Sequence, residues 1–152
     1  MQFALLLLAT GLGSGRIPFA PGTFGSLIGL PIGFLLSGIG GPAAFAATAV
    51  FCGGAIWIAG RAEEILQRKD APAIVIDEIA GMAVGLAGLA FTPFFAIGGF
   101  VLFRVFDILK PFPARWIDRR VAGGAGIVLD DVVAGVYTNL ILRLAAFCLT
   151  AA

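Results

Sequence analysis

Thr23-Phe24-Gly25-Ser26-Leu27-Ile28-Gly29-Leu30-Pro31-Ile32-Gly33-Phe34-Leu35-Leu36-Ser37-Gly38-Ile39 carries no charge and lies inside a longer charge-free run from residue 17 to residue 60. A helix that crosses a bilayer needs about 20 mostly apolar residues. The run therefore holds two such helices, separated by the turn signal Gly40-Gly41-Pro42, with the second over residues 43–60. A second charge-free run, residues 79–103, is broken at Thr92-Pro93, with apolar block 79–91 before the break and block 94–109 after it, the latter running past the end of the run through Arg104 and Asp107. A last block covers residues 132–150 and is interrupted by Arg143. Residues 1–9 are too short to span and have no positive flank, which argues against a secretory signal and for a short helix at the interface or against the bundle.

The fold expected is all-α. A single domain over residues 1–152 forms a polytopic helical membrane bundle, with about five hydrophobic helices plus a short N-terminal interfacial helix. Composition agrees. Hydrophobic residues make up 60% of the 152 and charged residues 12%, about half the charge of an ordinary soluble domain. Disordered chains are polar and charged, so disorder is excluded. A net charge of +1 with no basic run argues against nucleic acid as a partner. Cys52 and Cys148 show no CxxC spacing, and there is no His, so disulfide and zinc scaffolds find no support.

The charges also orient the chain. The links at residues 40–42 and 92–93 carry none, whereas nine of ten basic residues fall at Arg16, over residues 61–69 and over residues 104–120. The positive-inside rule puts those regions in the cytoplasm. Arg143 is the exception. It must snorkel outward or pair inside the bundle.

Acidic residues are costly near a bilayer and usually functional there. Six of the nine fall in three clusters: Asp77-Glu78; Asp107, with Arg104 and Lys110 at helical spacing; and Asp118 through a Gly-rich turn (Gly123, Gly124, Gly126) to Asp130-Asp131. Ile74-Val75-Ile76-Asp77-Glu78-Ile79 resembles Ile127-Val128-Leu129-Asp130-Asp131-Val132, each placing an acid pair just before an apolar helix. Taken singly, each pair reads as helix capping. Together, four carboxylates converge as oxygen-only ligands, which suits Mg²⁺. The glycine-rich loop with Ser14, Arg16 and Thr23 could contact phosphate. Gly81, Gly85 and Gly88 suggest a face for close helix packing.

These motifs resemble those of the phosphatidylglycerophosphatase A family, Mg²⁺-dependent membrane phosphatases. The similarity rests on Gly13-Ser14-Gly15, Ala20-Pro21-Gly22-Thr23-Phe24-Gly25-Ser26, Asp77-Glu78-Ile79-Ala80-Gly81-Met82, Phe103-Arg104-Val105-Phe106-Asp107 through Lys110-Pro111-Phe112-Pro113, Asp118-Arg119, and Asp130-Asp131-Val132-Val133-Ala134-Gly135. The resemblance implies hydrolysis of the phospholipid phosphatidylglycerophosphate to phosphatidylglycerol and inorganic phosphate. It also implies residence in the bacterial cytoplasmic membrane, and the distribution of charge puts the site on the cytoplasmic side.

The residue inventory narrows the chemistry. There is no His nucleophile, no Arg six residues after a Cys, and no Asp-x-Asp pair. Attack by water assisted by a metal remains. Asp77, Glu78, Asp107 and Asp130 are the expected metal ligands. Asp131 is the expected general base, interchangeable with Asp130. Arg104, Lys110 and Arg119 would neutralise phosphate, with Thr23, Ser14 and Arg16 as further phosphate contacts. Two competing classes are a small transporter or channel with an acidic ion site, and a structural subunit whose acids only cap helices.

Overall fold

The computed structural model describes residues 2–151 and is helical throughout, with no strand among them. The helices are α1 (Gln2–Ala9), α2 (Pro21–Ser37), α3 (Gly41–Leu66), α4 (Ile76–Leu86), α5 (Pro93–Leu109), α6 (Ala114–Arg120) and α7 (Gly123–Ala151), with a 3₁₀ turn at Ser14–Arg16. Met1 of the expected N-terminal helix lies outside the described residues. Proline opens α2, α3 and α5 within their first two positions, where its missing N–H has no helical partner to lose. The Thr92 hydroxyl accepts a hydrogen bond from the Phe95 N–H at 3.3 Å and caps α5.

Helix α4 is the centre of the bundle. Nine of its eleven residues are buried, and α2, α3, α5 and α7 pack around it. Small residues permit this. Gly25, Gly29 and Gly33 recur every fourth residue on the buried face of α2. A Cβ at Gly29 would stand 2.6 Å from the Met82 Cβ, and one at Gly25 2.8 Å from the Val75 Cβ. On the other side of α4, a Cβ at Gly81 would stand 2.6 Å from both the Asp131 carbonyl oxygen and the Phe103 ring. Backbones this close maximise dispersion contacts, the main source of helix association where lipid removes the hydrophobic drive.

Three expectations change. Gly88 does not share the packing face of Gly81 and Gly85. Helix α4 ends at Leu86, and Gly88 lies beyond it with φ +66°, close to Phe45 and Arg143. The Gly123–Gly126 segment is the first turn of α7 rather than a loop, and Gly124 lets α7 press against the α3 backbone, where a Cβ would meet the Gly60 nitrogen at 2.6 Å. Asp130 and Asp131 consequently sit two turns inside α7 instead of at its start. At that depth they cannot cap its N-terminal N–H groups.

The eleven residues of α4 cover only about 16 Å, so its last carbonyls open inside the bundle. Two residues of α7 serve them. Asn139 Nδ2 donates to the carbonyls of Gly85 and Ala87, both at 3.0 Å, and Arg143 Nη2 donates to the Ala87 carbonyl at 2.7 Å. Asn139 Oδ1 accepts from Arg143 Nε at 2.7 Å. Arg143 itself stays exposed, so it meets both options at once: it stands at the outer edge of the bundle and its guanidinium reaches in to Asn139 and the Ala87 carbonyl. Ser37 of α2 similarly donates to the Leu89 carbonyl at 2.8 Å.

Helices α3 and α7 are each long and apolar enough to cross a membrane, and α2 is a shorter apolar helix. Large apolar side chains stand exposed along several helices, among them Leu35, Val50, Trp57, Ile97, Leu144 and Phe147. A surface of this kind suits lipid and not water.

Candidate active site

One end of the bundle gathers the polar residues. The start of α4, the end of α5, the first turns of α7 and the segment after α3 enclose a cavity of about 310 Å³. Asp77 and Glu78 enter it from the first turn of α4, which backbone pairing to the N-terminal segment fixes in place. The Val75 N–H donates to the Ala9 carbonyl at 2.9 Å, and the 3₁₀ turn packs on residues 73–75 through Gly15.

Asp77, Glu78 and Asp131 each bring a carboxylate oxygen within 4.8 Å of the others. Adjacent helical residues point about 100° apart, so Asp131 and Asp130 face different partners. Asp131 faces the α4 acids. Asp130 is buried and accepts a hydrogen bond from Lys110 Nζ at 2.6 Å. Lys110 also donates to Asp118 at 2.9 Å. Of the two residues read as interchangeable, the structure brings Asp131 into the three-carboxylate group and sets Asp130, expected as a ligand, beside the lysine.

Three carboxylates this close repel unless a positive charge compensates them. Among the described residues, Asp77 Oδ1, Glu78 Oε2 and Asp130 Oδ1 are buried without a hydrogen-bond partner in the protein, each leaving an acceptor to be satisfied. This is a donor set for a hard cation: oxygen only, anionic and partly preformed. The residues present fit Mg²⁺.

Asp107 lines the same cavity and is ion-paired with Arg104. Arg104 Nη1 also donates to the Ser26 hydroxyl at 3.5 Å, and Ser26 donates to the Gly22 carbonyl at 2.8 Å. Lys110 follows the last residue of α5 in the left-handed conformation, φ 44°, which turns it out of the helical progression from Arg104 and Asp107. Partial burial works against its charge, but the hydrogen bonds and charges of Asp130 and Asp118 outweigh that and raise its pKa above the ordinary lysine value.

The remaining expected contacts lie elsewhere. Arg119 is exposed on α6, against a second cavity. Thr23, Ser14 and Arg16 do not line the carboxylate cavity. The Ser14 hydroxyl donates to the Thr10 carbonyl at 3.3 Å, and Arg16 is exposed. Asp118 and Ser26 stand in the motifs the sequence shows but carry no role there, and the rim residues Glu63, Lys69 and Asp70 are not among the residues it singles out. Asp118 carried a signal, its place beside two arginines in a charge-poor chain. The rim residues carried none beyond membership of a charged stretch.

Comparison with known proteins gives a consistent result. The family model described as "Phosphatidylglycerophosphatase A" matches residues 7–146. A protein of Escherichia coli K12 named "Phosphatidylglycerophosphatase A" is 40% identical over 139 residues, covering 90% of this chain and 80% of the relative. One of the same name from Haemophilus influenzae is 37% identical over 140 residues, covering 90% and 85%. A Bacteroides thetaiotaomicron relative named "Putative phosphatidylinositol-3-phosphatase" is 36% identical over 154 residues, covering 95% and 94%. No solved structure matches the chain.

Proposed function

The chain belongs to the phosphatidylglycerophosphatase A family, and we propose that its carboxylate cavity, holding Mg²⁺, is where it dephosphorylates phosphatidylglycerophosphate. The products are phosphatidylglycerol and inorganic phosphate, as in the last step of phosphatidylglycerol synthesis. The observation that carries the assignment of the site is the convergence of Asp77, Glu78 and Asp131, from two helices, on one buried point.

These three residues would hold the cation. Lewis-acid stabilisation of the phosphoryl group and a more acidic water are what a bound Mg²⁺ contributes there. The protein's own groups do the rest. Asp130 keeps one oxygen on Lys110 and the other unpartnered, so it is placed to take the proton of the attacking water. Lys110 fixes the orientation of Asp130 and adds positive charge at the cavity wall. Arg104, held by Asp107 and Ser26, offers a planar donor to a phosphate oxygen. Asp107 acts as the outer carboxylate that aims Arg104 and completes the negative field around the cation.

The five apolar helices α2, α3, α4, α5 and α7 are embedded in the bacterial cytoplasmic membrane, with the cavity open to the cytoplasm. Supporting this are the uncharged links at residues 40–42 and 92–93 and the basic residues gathered at the opposite end, around the cavity. A phosphate headgroup enters from the polar end while the acyl chains stay in lipid.

Phosphate release by the purified protein from phosphatidylglycerophosphate in detergent micelles, with Mg²⁺ and then with a chelator, tests the reading. Release that depends on Mg²⁺ supports it. Release unaffected by the chelator removes the cation from the mechanism, and no release removes the activity.

A further inference from the structure

A second cavity, about 480 Å³, adjoins the first, and Lys110 lines both. It lies between the end of α5 and α6, and its other lining includes Phe112, Arg115, Trp116, Arg119 and Arg120. The two cavities have opposite electrostatics. Carboxylates dominate the first, whereas four cations and no carboxylate line the second. Arg115 is engaged locally, donating to the Leu109 carbonyl at 3.1 Å. Among the described residues, the side chains of Arg119 and Arg120 make no hydrogen bond or ion pair. These are two uncommitted guanidinium groups beside a hollow, one residue away from the proposed reaction site.

The substrate has matching chemistry. Phosphatidylglycerophosphate carries a terminal phosphomonoester, which is cleaved, and a phosphodiester, which is kept. One glycerol joins them, as Lys110 joins the two cavities. We propose that the Arg119–Arg120 cavity binds the phosphodiester that the reaction leaves intact, while the carboxylate cavity takes the monoester. This rests on the reading of the site given above.

The apolar rim supports a lipid as the occupant. Phe112 is 79% and Trp116 53% exposed. The Tyr137 hydroxyl donates to the Phe112 carbonyl at 2.7 Å, tying this loop beside the apolar stretch of α7. An aromatic and arginine pair at that level is typical of a membrane interface, where a lipid phosphodiester lies with its acyl chains directed into the bilayer. A diester site also selects its substrate, because a lipid carrying only a monoester leaves two arginines without a partner. Phosphatidylglycerol retains the diester, so the product competes for the same cavity.

The test compares wild type with Arg119→Gln/Arg120→Gln in neutral detergent micelles containing phosphatidylglycerophosphate and no other anionic lipid. The double variant is expected to raise KM about tenfold or more, the scale of removing charge-assisted hydrogen bonds, with the effect in KM and not in kcat. Phosphatidylglycerol and phosphatidic acid are then added as competitors. Inhibition by phosphatidylglycerol, which has only the diester, should weaken in the variant; inhibition by phosphatidic acid, which has only the monoester, should not. An unchanged KM in neutral micelles, with a defect only after bulk anionic lipid is added, would assign the arginines to the membrane surface and overturn the proposal. Equal weakening of both competitors would overturn it as well. Failure of the wild type to release phosphate instead sinks the underlying reading, and is seen before any variant is made.

Discussion

Lys110 Nζ stands 2.6 Å from Asp130 Oδ2, joining the residue just after α5 to one two turns inside α7. The same ammonium holds Asp118 from α6 at 2.9 Å. Three helices are thus fixed by one cation at the wall of the carboxylate cavity. Asp130 is oriented by that contact, while its neighbour Asp131 is turned toward Asp77 and Glu78.

Replacing Asp131 or Asp77 by Asn keeps shape and hydrogen bonding but removes charge. Phosphate release should fall about 100-fold or more, and the residual activity should need more Mg²⁺. The melting temperature should hold or rise, because one of three mutually repelling carboxylates is gone. Activity assays at graded Mg²⁺, paired with thermal melts, check this. Full activity in folded Asn variants would exclude the shared-cation site.

Lys110→Met should lower activity by about 10-fold or more, since Asp130 and Asp118 lose a charged partner inside a partly buried wall. The raised pKa fixes the sign of the pH dependence. A cation held more tightly in the folded state contributes its full stabilisation below the ordinary lysine pKa and loses it only as pH rises through the higher folded value. Between about pH 6 and 9 the stability difference between wild type and Lys110→Met should therefore stay flat, as urea or thermal titrations would reveal.

Gly81→Leu should destabilise more than Gly85→Leu. A Cβ at Gly81 meets a backbone carbonyl at 2.6 Å, which cannot move without shifting α7, whereas one at Gly85 meets the Thr138 methyl at 3.2 Å. Overpacking at such contacts costs about 1–3 kcal/mol. Melting temperatures in detergent give the order, and equal stabilities would mean that α4 and α7 can part at Gly81 without cost.

Arg143→Ala should lower stability by about 1 kcal/mol, the cost of leaving Asn139 Oδ1 without its donor while the Ala87 carbonyl keeps Asn139 Nδ2. Activity per folded molecule should survive, because the site is at the opposite end of α4. A variant with wild-type stability would show that lipid or water serves those carbonyls equally well.

Single-cysteine variants in residues 61–73 and 111–126 should be labelled by membrane-impermeant reagents only after the cells are opened. Labelling of either segment from outside intact cells would invert the topology.

The helical class and the acids that line the cavity were readable from residues 23–39 and from Asp77-Glu78 and Asp130-Asp131, because a chain with so few charges makes each one conspicuous. Apolar length and turn residues are local properties, so the sequence alone determined where α2, α3 and α5 begin. It could not show that α4 stops at Leu86. That end depends on Asn139 and Arg143, more than fifty residues away, accepting the burden of its carbonyls. Nor could it separate Asp130 from Asp131. Side by side in sequence and alike in chemistry, they differ only through the helix's step of about 100° per residue, and which one meets Lys110 and which meets Glu78 is decided by how α7 is rotated against α4 and α5. That rotation is set by Gly81 and Gly135 in close contact, a relationship that exists only in the packed bundle.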